Sequence, residues 1–164
     1  MRILVTSASK HGSTTEIARE IGTSLLLRLV QADVRPVESV VTLDGYDAVI
    51  LGSGIYMGHW LESAKRFIEQ HSAELLERPV WLFSSGPLGD PPKPSDEPAD
   101  AAGMVAATAA RGHRVFAGSL DKEELGIAER AMVAAVRAPE GDFRPWAEID
   151  AWVEEIVTAL AIRA

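Results

Sequence analysis

The chain has no cysteine among its 164 residues. Disulfides, thiolate metal sites, iron–sulfur ligation and a cysteine nucleophile are therefore excluded. Basic charge is scarce: 16 Lys and Arg stand against 24 Asp and Glu, a formal net charge of −8. A nucleic-acid binder needs a basic footprint for the phosphate backbone, so that class is set aside. Long apolar runs are missing too. "LLLRLV" is broken by Arg28 and "AAGMVAATAA" is short and alanine-rich, whereas a transmembrane span needs about 20 apolar residues. Peripheral membrane contact stays open. "MRILVTSASK" at the N-terminus carries one Arg and too short an apolar run for a signal peptide core. These absences together suggest a cytoplasmic protein. The four histidines are scattered and form no metal-ligand spacing.

What the chain does have is a full complement of core residues, 47% hydrophobic, in a length that suits one domain over 1–164. "RILVTS" (2–7) reads as a buried strand. Ile17, Ile21, Leu25 and Leu29 then mark a helix with one apolar face. "DVRPV" (33–37) reads as a second strand, placed at an edge by Pro36. "YDAVILGSG" (46–54) is a third strand, followed by a helix over Leu61, Ala64, Phe67, Ile68, His71 and Leu75. "PVWLFSS" (79–85) is a fourth strand and "GHRVFAGSL" (112–120) contains a fifth. Trp146, Ile149, Val153, Ile156 and Leu160 mark a last helix, and 121–142 an extra helix and turn before it. The acidic, proline-rich stretch 86–100 reads as a loop, mobile in part. Strands alternating with helices predict an α/β fold, a three-layer, doubly wound, five-stranded parallel sheet.

In such sheets ligands bind beyond the carboxyl ends of the strands. Three loops there carry unusual chemistry. The first, 7–14, sets Ser9, Lys10, His11, Gly12, Ser13 and Thr14 just where a helix starts. Free helix amides, hydroxyl donors and a glycine that lets the backbone approach suit a phosphate. The competing reading is a capping box, in which Ser13 and Glu16 satisfy the helix amides themselves. The second loop, "LGSGIYMGHW", matches neither a dinucleotide fingerprint nor a nucleophile elbow. It presents Ile55, Tyr56, Met57 and Trp60 on a glycine-permitted turn, which suits a flat aromatic ligand, although Trp60 on its own reads as core. The third, "SSGPLGDPP", follows the fourth strand and suits either a ring wall or a surface turn.

The strand followed by S-x-x-G-x-T (Ser9, Gly12, Thr14), the "GSGIYMGHW" loop and the strand order together resemble the flavodoxin-like FMN proteins. The resemblance covers essentially the whole chain. "VFAGSLD" with an extra helix next, and then "GDFRPWAEIDAWVEEI", is similar to the flavodoxin-domain group that includes the menaquinone-dependent protoporphyrinogen dehydrogenases. The resemblance implies the strand order 2-1-3-4-5 and FMN as cofactor. It also implies that Ser9, Lys10, His11, Gly12, Ser13 and Thr14 hold the phosphate. By the same resemblance Ser53, Gly54, Ile55, Tyr56, Met57 and Gly58 line the ring, with Ser84, Ser85, Gly86, Pro87 and Leu88 as its other wall. Lys10 and His11 depart from the neutral or acidic residues usual there. The loop over 86–100 lacks the basic, hydrophobic insertion that brings protoporphyrinogen dehydrogenases to membrane and quinone.

The implied activity is that of an FMN-dependent oxidoreductase. Its counterpart would be a redox partner protein or a small-molecule or quinone electron acceptor. No conventional acid–base pair is visible, and His59 and Tyr56 are the candidates for proton handling near the ring. Two alternatives remain at this level: a pure electron carrier, and a cofactor-free binding or regulatory module. The helix over Leu125–Val136 has apolar residues that would serve a homodimer, a partner or the core equally well.

Overall fold

The computed structural model describes residues 1–86, 98–121, 123, 125–136 and 140–162. Five strands form a parallel sheet: β1 (Arg2–Ala8), β2 (Gln31–Pro36), β3 (Ala48–Tyr56), β5 (Val80–Ser85) and β6 (His113–Phe116). Their spatial order is β2-β1-β3-β5-β6. Counting only parallel strands, this is the 2-1-3-4-5 order implied above. A two-residue strand, β4 (His59–Trp60), folds back antiparallel on β3.

The three central strands, β1, β3 and β5, are buried along most of their length because both sheet faces are covered there. Successive side chains alternate between two cores. Ile3, Val5, Ile50, Trp81 and Phe83 pack against α1 (Ser13–Leu27) and α6 (Trp146–Ala161). Leu4, Val49, Leu51 and Leu82 pack with Phe67 and Ile68 of α2 (Glu62–Gln70), Leu75 of α3 (Ser72–Leu76) and Met104 of α4 (Ala101–Thr108). Strand β2 lies at the edge, as Pro36 required.

Three elements differ from the sequence reading. The helix expected over Leu61–Leu75 is two helices, parted at His71, whose φ of −112° is not helical. His71 is buried against Phe67, and its Nδ1 lies 2.9 Å from Glu74 Oε1. The other Glu74 oxygen accepts the Leu43 N–H at 3.1 Å, so the break aims α3 at the loop ahead of β3. The fifth strand is only four residues long. After it the chain enters a separate two-stranded sheet, β7 (Ser119–Leu120) with β8 (Gly141–Asp142). Between these lies the extra helix, α5 (Ile127–Val136). Residues 87–97, most of the acidic, proline-rich loop, lie outside the described residues, as do Pro87 and Leu88 of the proposed ring wall.

Among the described residues no helix is long and apolar enough to cross a membrane, and no group of histidine and acidic side chains could hold a metal ion.

Candidate functional site

The first loop closes on itself. Gly12 N–H donates to Ser9 Oγ at 3.0 Å, and Gly12 takes φ +89°, a left-handed conformation open to glycine at little cost. Gly12 is therefore the N-cap of α1 and Ser13 is already inside the helix. The capping box does not form, because it needs Ser13 one position earlier. Glu16 is instead drawn to Arg144, and Ser13 Oγ accepts from the Ser119 N–H (3.3 Å) and hydroxyl (3.1 Å). No side chain caps α1, so its first-turn amides and the positive end of its dipole face the cleft beyond the sheet.

The second loop is a tight hairpin. Met57 (φ 51°) and Gly58 (φ 78°) are both left-handed, the conformation that two-residue hairpin turns demand. Asp100 braces its base by accepting the Trp60 N–H at 3.1 Å, with His59 Nδ1 and Lys65 Nζ each 3.2 Å away. Burial pushes the Asp100 carboxyl up, but Trp60 N–H, His59 and Lys65 outweigh it and hold the group below the usual carboxylate range. His59 thus faces Asp100 and does not line the cleft. Tyr56 does line it, with Lys10 Nζ above its ring at 4.0 Å from the centroid.

Between these loops and α5 lies a cleft of about 560 Å³. Ser9, Lys10, His11, Ser13 and Thr14 form one end. Gly54, Ile55, Tyr56 and Met57 form a second wall, and Ser85 and Gly86 a third. The two glycine-bearing loops touch: a Cβ on Gly54 would stand 3.2 Å from Thr14 Oγ1. The other predicted residues shape the cleft without lining it. Ser53 is buried, donating to Gly54 O (2.8 Å) and accepting from Leu61 N–H (3.0 Å). Gly12 and Gly58 supply the turns. Ser84 points to the interior, where its Oγ accepts the Trp60 indole N–H at 2.7 Å and lies 2.7 Å from His113 Nε2. Trp60 is accordingly a core residue.

Sequence reasoning missed Leu61, Gly118, Ser119 and Leu120, and the α5 side, Leu125, Glu129 and Val133. The last three recur every four residues, a signal that reads only as a helix face. Glu129 Oε2 meets His11 Nε2 at 2.6 Å, and Oε1 lies 3.5 Å from Lys10 Nζ. The hydrogen bond with His11, against some desolvation and aided by the Lys10 charge, holds the Glu129 carboxyl below its ordinary range.

The site therefore offers an uncapped helix N-terminus, hydroxyls, the Lys10 cation and the His11 ring at one end. At the other it offers backbone and an aromatic-bearing hairpin. A ligand with an anionic group and a flat apolar ring fits both the volume and the donor set.

The family described as Flavodoxin domain matches residues 4–144. The protoporphyrinogen IX dehydrogenase [quinone] of Escherichia coli K12 is 29% identical over 86 residues, 51% of this chain and 48% of that protein. The chain thus spans about half the length of the curated relatives it matches. Among solved structures, an archaeal flavodoxin aligns with a TM-score of 0.58 and 21% identity over 82% of this chain and 99% of its own. The two-electron reduced flavodoxin of Megasphaera elsdenii gives 0.57 and 21% over 70% and 85%. The rubredoxin oxygen:oxidoreductase of Desulfovibrio gigas gives 0.57 and 11% over 94% and 36%. These structural likenesses establish the fold.

Proposed function

The chain belongs to the flavodoxin-domain family of FMN-binding electron-transfer proteins, and on that footing we propose that it is an FMN-dependent oxidoreductase whose flavin occupies the cleft between the first loop, the hairpin and α5. The supporting observation is the joining of an uncapped helix N-terminus with hydroxyls and cations to an aromatic hairpin in one cavity. Bound FMN would supply one- and two-electron transfer. The chain would contribute the rest. Ser9, Ser13, Thr14 and the first amides of α1 bind the phosphate. Ile55, Tyr56 and Met57 cover one side of the ring and exclude water there. Ser85 and Gly86 line the cleft beside Gly54 and Ile55 and would give the ring a close backbone wall. The net charge of −8 disfavours an anionic reduced ring nearby and steers basic partners.

The finer reading, dehydrogenation of a protoporphyrinogen-like substrate with a quinone as acceptor, is supported by the likeness to the E. coli enzyme. It concerns half of that protein's length, so it is the part of the proposal to be tested separately. Turnover of protoporphyrinogen by the flavin-loaded protein with a quinone and no protein partner would support it. Reduction only through a partner protein would leave a carrier.

The cofactor proposal is tested by titrating the protein with FMN and following flavin fluorescence. Quenching is expected. Gly12→Glu should abolish it, by forcing a left-handed conformation on a side chain that brings negative charge to the phosphate end. Undiminished affinity in that variant would place the phosphate elsewhere, and no quenching with the wild type would favour the cofactor-free module.

A further inference from the structure

Helix α5 flanks the cleft. None of its described side chains is buried. Ile127 is 90% exposed, and Arg130 turns back to donate to Leu125 O (3.1 Å) and Glu123 O (3.4 Å). The inward positions are Leu125, just ahead of the helix, with Glu129 and Val133. Glu129 is the charged member of that stripe, and it meets Lys10 and the His11 ring of the first loop.

That pairing has a consequence for any anion bound at the loop. Among the residues lining the cleft, Lys10 brings a positive charge and His11 a ring nitrogen donor, and one carboxylate engages both. A phosphate monoester brings about −1.5 to −2 charges at neutral pH. To use Lys10 or His11 it must either displace Glu129 or share them with it at close range, and like charges brought together in a partly dry site repel. None of the described α5 side chains is buried, so displacing the carboxylate disrupts no buried contact of theirs.

We propose that Glu129 is a specificity-determining residue: as a built-in anion holding Lys10 and His11, it limits how much affinity the cleft gains from a ligand's phosphate. The unphosphorylated form of the same ring, having no phosphate to contest Lys10 and His11, is unaffected by it. This inference rests on the flavin reading of the cleft.

The test compares FMN with riboflavin, which differ only in the phosphate. Flavin-free protein is titrated with each, as wild type, Glu129→Gln and the exposed control Ile127→Ala. Glu129→Gln should tighten FMN by at least about tenfold and leave riboflavin essentially unchanged, with Ile127→Ala altering neither. Equal changes for the two flavins, or weaker FMN in Glu129→Gln, would overturn the inference, since Glu129 would then merely hold the loop in shape. A second arm uses inorganic phosphate with the wild type. Hydrogen exchange over 127–136 should accelerate as phosphate displaces the carboxylate, and unchanged exchange at saturating phosphate would also overturn the proposal. If neither flavin binds the wild type, the flavin reading fails, while the phosphate arm still decides the role of Glu129.

Discussion

Helices α5 and α6 are separated by only nine residues and each presents a stripe at helical spacing, yet they do opposite work. Helix α6 buries Ile149, Trp152, Val153, Ile156 and Leu160. Trp152 meets Phe83 and Phe116 edge-on at 6.2 and 5.5 Å. Arg28 of the α1 C-terminus clamps it from outside, bridging Asp150 (2.9 and 3.1 Å) and Glu154 (2.5 Å). Helix α5 buries none of its described side chains and turns its stripe to a cavity. Identical periodicity can mean core or cleft wall; the neighbour decides which, because apolar side chains need only be removed from water.

The largest break in this comparison is expected from Trp152→Ala. Loss of a buried aromatic and the cavity left behind should cost about 3–5 kcal/mol, read as a lowered urea midpoint. The matching change on the other side, Val133→Ala, should cost less than about 1 kcal/mol of stability yet weaken FMN binding, seen as reduced quenching. A large stability loss with unchanged FMN affinity would make α5 a structural helix like α6. Arg28→Ala should shift the urea midpoint by only a fraction of the Trp152 effect, since Asp150 and Glu154 are half or more exposed and solvent screens them.

The smallest effect is a pH dependence confined to α5. The folded Glu129 carboxyl titrates below its ordinary value of 4.5. Its stabilising contribution is therefore complete above that value and is lost as pH falls through the lower, folded one. Exchange protection over 127–136 should fade in that acid window while α6, held by apolar packing, stays protected. Simultaneous loss in both helices would show that α5 does not open by itself.

Much of the fold was legible in the sequence. Apolar strands β1, β3 and β5 and Pro36 at an edge are local signals and appear where they were read, whereas Leu29, read as part of the first helix's apolar face, lies beyond α1 and is exposed. Ser9, Lys10, His11, Tyr56 and Met57 were also legible as lining candidates, because chain order puts their loops at one sheet edge. The capping box was misread by one position: the pattern at Ser13 and Glu16 is correct locally, but Gly12 takes the cap and Arg144, 128 residues away, takes the acid. The division at His71 was hidden for a similar reason, since Glu74 reaching the Leu43 amide is a long-range contact.

By itself, then, the sequence determined the layered parallel sheet and two loops that line the cleft, because burial and turn chemistry act within a few residues; the strand order came with the family resemblance. Only the tertiary structure decided that Ser84 supports from within, that Ser119 joins Ser13, and that Glu129 engages Lys10 and His11 of a distant loop. Those are meetings across 24 to 118 residues, and side-chain chemistry at one position carries no record of what the fold will bring against it.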